Sequence, residues 1–124
     1  MRIRPHRTGR GGRAVFDPDL RQELEELTRG ACKALNDPKR LMILYALDGR
    51  PRSVGELSDL LGVPQPNVSQ HLAVLRERRL VEVERDGNRA IYALGDPRVI
   101  QAIDILRQVA RDGLGRRLAI RSAR

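Results

Sequence analysis

Apolar positions recur at helical spacing through most of this chain and alternate in only one stretch. After Asp17-Pro18, an N-cap followed by a proline fit for a first helical turn, Leu20, Leu24, Leu27 and Ala31 form a narrow apolar stripe that continues to Ala34 and Leu35. Gly30 weakens that predicted helix without ending it. Asn36-Asp37-Pro38 repeats the start signal, and the helix after it is apolar nearly all round through Leu41, Ile43, Leu44 and Leu47, which marks it as central to a core. Asp48-Gly49 ends it. Ser53 and Glu56 have capping-box spacing, and Val54, Leu57, Leu60 and Leu61 give the next short helix one apolar face that Gly62 closes. A fourth helix, running to about Arg79, turns Val68, Leu72 and Leu75 inward.

Beyond Leu80 the period drops to two. Val81 and Val83, then Ile91 and Ala93, flank Asp86-Gly87-Asn88, which predicts a two-stranded hairpin resting on the helices. Asp96-Pro97 starts a last helix in which Val99, Ile100, Ile103, Leu106, Val109 and Ala110, with Ala102 and Ile105, cover more than one face. So small a domain offers its terminal helix one side only, so the surplus predicts a partner, most simply a second copy of the chain. Asp112-Gly113 and Gly115 are expected to fray it.

The helix that begins near Gln65 has the most informative polar side. Pro66, Ser69, Gln70, Ala73 and Arg76 lie opposite its apolar stripe, with Gln65 and Asn67 at the exposed N-terminal end. Short amides and hydroxyls exchange hydrogen bonds with base edges, and arginine reaches phosphate or guanine. The same pattern also suits a solvated helix face. Arg85, Asn88 and Arg89 sit around the hairpin tip, where they would reach a neighbouring groove or backbone, or simply keep a turn soluble.

Composition narrows the choice. The 124 residues make one domain with one modest core. With two Tyr, one Phe and no Trp, a stacking platform for single strands is not expected. No apolar run has the length of a membrane span and no hydrophobic segment follows the basic N-terminus, so neither membrane insertion nor secretion is expected. A single cysteine fits a reducing cytoplasm. The net charge of +8 is confined to the ends: residues 1–15 carry five Arg and no acid, and residues 116–124 carry four Arg and no acid. The chain thus divides into a basic arm at 1–15, expected to be disordered, a domain at 16–115, and a basic tail at 116–124. Such arms suit a polyanion, Arg2, Arg4 and Arg7 acting on any sequence through counterion release, or serve as solubilising tails. Nothing resembles a phosphate loop, a nucleophile with its base or a metal cluster, so no catalysis and no cofactor is expected. Cys32 reads as a packed small hydrophobe or as a redox-sensitive thiol.

Helix, helix, helix-turn-helix, β-wing, helix is a winged helix-turn-helix layout, mainly α with a hairpin wing. KALNDPKRLMILYAL and SVGELSDLLGVPQPNVSQHLAVLRERRLVEVERDGNRAIYAL, in that order and spacing, resemble the ArsR/SmtB family of bacterial transcriptional repressors from about Cys32 to Leu94. The resemblance implies a homodimer paired through first and last helices that binds an imperfect palindrome in double-stranded DNA of its own promoter. It assigns Gln65, Asn67, Ser69 and Gln70 to the major groove, and Arg85 to Arg89 to the wing. His71 then becomes a packing or phosphate-contact residue, not a metal ligand.

The family's sensing sites are largely missing. The third helix has Ser58 where arsenic and cadmium sensors carry Cys-x-Cys, and Val99–Asp112 has no His, only Asp104 and Asp112. The sulfur-sensing branch uses cysteines on the second and last helices; Tyr45 stands near the first place and nothing at the second. No metal site is therefore expected. The expected activity is repression of the chain's own operon, released by an unidentified signal. Rival readings are an architectural DNA-binding protein of low specificity, a repressor switched through Cys32, and a module whose last helix docks a different protein.

Overall fold

The computed structural model describes residues 16–122, with side chains described as far as residue 117. The basic arm over 1–15 lies outside the described residues. Four of the five α-helices start at a residue whose side chain caps them. Asp17 accepts from the Asp19 N–H at 2.9 Å and opens α1, Pro18–Leu27. Asp37 accepts from Lys39 N at 2.7 Å and opens α2, Pro38–Leu47. The helix of α1 continues past Leu27 through one π-helical turn, Thr28–Cys32, and regains α geometry to Ala34. Gly30 sits inside that turn, so its weak helical preference widens the helix without stopping it.

Between α2 and the next helix, Arg52–Ser53 forms a short strand, β1. It pairs antiparallel with the later strand β3, Arg89–Leu94, placing Arg52 opposite Tyr92 and Ser53 opposite Ile91. The hairpin expected to have two strands is thus the larger part of a three-stranded sheet of order β1-β3-β2, where β2 is Val81–Asp86. Two residues are too few to show alternation, which is why the third strand left no mark in the pattern.

Helix α3, Val54–Leu61, carries the full capping box: Glu56 N donates to Ser53 Oγ and Ser53 N to Glu56 Oε1, each at 3.2 Å. Gly62 ends it at φ 66°. Leu57 packs inward, but Leu60, expected on the same face, is exposed. Helix α4 follows at Gln65–Glu77. It closes with Leu80 N bonded to Leu75 O at 2.9 Å, which puts Arg79 in the left-handed region at φ 61°. Gly95 passes so close that a Cβ there would lie 2.3 Å from the Arg79 carbonyl oxygen. Only glycine fits, and the wing is seated on the end of α4 by the bond from Gly95 N to Leu80 O, 2.9 Å.

The core joins Ile43, Leu44 and Leu47 of α2 to Leu57 of α3, Val68, Leu72 and Leu75 of α4, Val81 of the sheet, and Ile100 and Ile103 of α5. Helix α5 spans Arg98–Ser122 and runs straight through Gly113 and Gly115, where fraying was expected. Isolated glycines cost a helix only about 1 kcal/mol each, so α5 continues past both. Asp96 caps α5, accepting from Arg98 N at 2.9 Å and pairing with the Arg98 guanidinium at 2.6 Å. Those two donations hold the Asp96 carboxyl down at about 2, against an ordinary value of 3.8.

Two outcomes follow for stability. Replacing Arg79 with glycine relieves a left-handed residue and is expected to stabilise the fold by about 1 kcal/mol, read as a raised midpoint in chemical unfolding. Because folding lowers the Asp96 pKa, its contribution is complete above the ordinary carboxylate value of 3.8 and is lost as pH falls towards about 2. The stability gap between wild type and Asp96→Asn should therefore narrow across that window in urea unfolding; a gap unchanged down to the bottom of it would contradict this.

Candidate nucleic-acid interface

The roll of α4 about its own axis is set by three fully buried side chains, Val68, Leu72 and Leu75. With that stripe locked inward, helical spacing turns Gln65, Pro66, Asn67, Ser69, Gln70, Ala73 and Arg76 outward, and all of them are exposed. The face bears no acid before Glu77. Pro64 occupies the N-cap without a side-chain cap bond, and its carbonyl accepts from Asn67 N at 3.0 Å and Val68 N at 3.1 Å. The positive end of the helix thus opens toward solvent beside the polar residues, a setting that favours anions. Gln65 leans back toward α3, its Nε2 lying 3.7 Å from where a Cβ on Gly55 would stand.

His71 is the half-buried member of the set, on the flank between buried stripe and polar face. Its Nδ1 lies 3.4 Å from Nη1 of Arg40, in the first turn of α2. Arg40 is a residue that the sequence pattern did not single out. It follows Asp37 by three places, which reads only as part of a capped first turn.

The wing tip carries Arg85, Asn88 and Arg89, all exposed, with Asp86 paired opposite Arg89 and Gly87 at φ 64° making the turn. Arg89 is not free. Its Nη2 donates to Glu56 Oε1 at 3.3 Å, and Arg50 donates to Oε2 of the same carboxylate at 2.5 Å. The backbone N–H of Ser53 is the chief cause holding the Glu56 carboxyl below its ordinary range, with the two arginines adding to it. The capping glutamate of α3 therefore also tethers the wing, a double use that sequence spacing cannot display.

The remaining candidate chemistry lies elsewhere. Cys32 is exposed in the π turn of the single chain. Asp104 is engaged by the Tyr45 hydroxyl and by Arg107 Nη1 at 3.2 Å. Among the described residues, no three of His, Cys, Asp and Glu come together as a metal-binding group. No helix among them is long and apolar enough to cross a membrane. On α1 and α5, Leu24, Leu27, Ile105, Leu106, Val109 and Leu114 are exposed, with Leu106 at 65%.

Comparison with known proteins agrees with this geometry. A family model described as "Bacterial regulatory protein, arsR family" matches residues 37–83, from the cap of α2 into β2. The HTH-type transcriptional regulator KmtR of Mycobacterium tuberculosis is 44% identical over 71 residues, which cover 57% of this chain and 55% of KmtR. Rv0081 of the same species, an uncharacterized HTH-type transcriptional regulator, is 40% identical over 71% of this chain and 78% of its own length. The crystal structure of Rv0081 superposes with a TM-score of 0.66, covering 82% of this chain and 98% of that one. The solution structure of the homodimeric winged helix-turn-helix DNA-binding domain of Mb0332 from Mycobacterium bovis superposes with a TM-score of 0.68 at 28% identity, covering 79% and 90%. With its capped helix pair, outward polar α4 and tethered wing, the chain belongs to the arsR family of winged helix-turn-helix transcriptional regulators.

Proposed function

We propose that the chain is a homodimeric, sequence-specific repressor that binds a palindromic operator upstream of its own operon and leaves it on an unidentified signal. The observation that carries this reading is the outward face of α4: Gln65, Asn67, Ser69, Gln70 and Arg76 are exposed together because Val68, Leu72 and Leu75 are fully buried. Gln65, Asn67, Ser69 and Gln70 read base edges in the major groove, while Arg76 and the wing residues Arg85, Asn88 and Arg89 hold the backbone beside it. Repressors stand among the relatives, one being the biofilm growth-associated repressor of Xylella fastidiosa at 39% identity over 74 residues.

Dimerisation is supported by the exposed apolar positions on α1 and α5. Among the described residues Ile105, Leu106 and Val109 are each more than half exposed, and Leu24 and Leu27 on α1 are exposed as well. A two-fold pairing through these helices would set two copies of α4 about one DNA turn, roughly 34–36 Å, apart.

Two experiments test the proposal. Gln70→Ala and Ser69→Ala should each reduce discrimination between a duplex selected by the protein and a random duplex by about 1–3 kcal/mol for a lost base contact. Equal weakening on both duplexes, measured by competition titration, would instead point to shape-led binding without base reading. Leu106→Lys should give a folded single chain in sedimentation and lose most of the affinity for the selected duplex, because each half then binds alone.

A further inference from the structure

The contact between Arg40 and His71 is not explained by capping or by the core. Nε of Arg40 donates to the Ala34 carbonyl at 2.5 Å and Nη2 to the Lys33 carbonyl at 3.3 Å. These are carbonyls of the last turn of the first helix, its electronegative end, where the Lys33 carbonyl also accepts from Asn36 N at 3.2 Å. The Arg40 backbone N–H is held by Asp37 Oδ1 at 3.3 Å. The guanidinium is thus fixed as a plane by its own side of the fold, independently of α4. Its remaining nitrogen, Nη1, faces His71 Nδ1 at 3.4 Å.

A guanidinium has only donors, so Nδ1 must be the accepting nitrogen. In the neutral ring the proton then sits on Nε2, across the ring from Arg40. His71 lies next to Gln70 on the flank of α4, at the border of the exposed polar face. The second nitrogen of the ring is therefore prepared as a donor beside the groove-facing residues. A phosphate oxygen at the groove edge is the acceptor such a donor suits, and contacts of this kind fix register without reading sequence.

We propose that Arg40 is a positioning residue for DNA binding: it sets the tautomer and orientation of His71, so that His71 Nε2–H donates to a backbone phosphate flanking the groove occupied by α4. The proposal rests on α4 being the DNA-facing helix. It also makes the end of α1 part of the DNA-reading apparatus, since the carbonyls that hold Arg40 belong to that helix.

The test uses the full chain and a duplex selected by the protein from a random pool. Only two histidines, His6 and His71, are present, so ring nitrogen shifts in an ¹⁵N-labelled sample are readily assigned. The expected spectrum of the free protein shows His71 with its proton on Nε2 and Nδ1 as a hydrogen-bonded acceptor, and in Arg40→Lys the Nδ1 resonance shifts as that hydrogen bond is lost. An Nδ1–H tautomer in the wild type would overturn the proposal, whatever the fate of the variants. For affinity, His71→Ala and Arg40→Lys should each weaken binding about tenfold, and the double variant should again be about tenfold weaker, because both remove the same contact. Losses that multiply to about a hundredfold, or an unaltered affinity in His71→Ala, would overturn it. Gln70→Ala is measured alongside: if it loses discrimination while His71→Ala binds normally, this proposal alone fails. If Gln70→Ala keeps full discrimination, the assignment of α4 fails and the proposal falls with it.

Discussion

Three side chains on α4 determine what the rest of the surface can do. Val68, Leu72 and Leu75 are wholly removed from solvent, and each such burial stabilises by about 1.5–3 kcal/mol. More important than the sum is its direction. A helix pinned along one stripe cannot rotate, so the opposite residues are presented in one fixed orientation. Ile43, Leu44 and Leu47 of α2 and Leu57 of α3 supply the wall against which the stripe is pinned, and the left-handed Gly62 turns the chain from α3 toward α4. The base reading proposed for that face depends on such rigidity, because a hydrogen bond weakens steeply once its distance or angle departs from the ideal.

Two arginines near that face have internal partners. Arg89 at the wing is tied to Glu56, the capping residue of α3, which also holds Arg50. Arg40 bridges the end of the first helix and α4. The exposed Arg89–Glu56 pair contributes little to stability. The effect of these contacts is geometric: they reduce the number of positions that a long side chain samples before DNA arrives, so less ordering remains to be done on binding. A carboxylate beside Arg89 also keeps that guanidinium from being a purely attractive charge, which matters in a domain whose body between residues 16 and 115 is nearly neutral.

Much of this was legible before any coordinates. Caps at Asp17, Asp37 and Ser53, the closing Gly62 and the inward triad of α4 are local signals, each a matter of residues three or four apart, and all stand as expected. What escaped the pattern was non-local or too short. Strand β1 is two residues long. The links from Glu56 to Arg89 and from Arg40 to His71 span 33 and 31 positions, and no periodicity records them. Gly113 and Gly115, whose weak helical preference predicts fraying, lie inside a helix that continues to Ser122. Leu60 was given to the inner face because its spacing fits, yet the short α3 needs only Leu57 deeply buried.

The apolar residues left open on α1 and α5 connect the fold to its action. Leu106 and Ile105 are more than half exposed on a helix whose inner turn, Ile100 and Ile103, is already satisfied. Such a surface is costly in water unless a second copy covers it, and that copy is what would bring two α4 helices to one duplex. The most direct measurement is the molar mass of the wild-type protein in solution, alone and bound to its selected duplex, by light scattering coupled to size exclusion. The account predicts twice the 14.0 kDa chain mass when free and two chains per duplex when bound. A free species of one chain that still binds the selected duplex tightly, one chain per site, would contradict it.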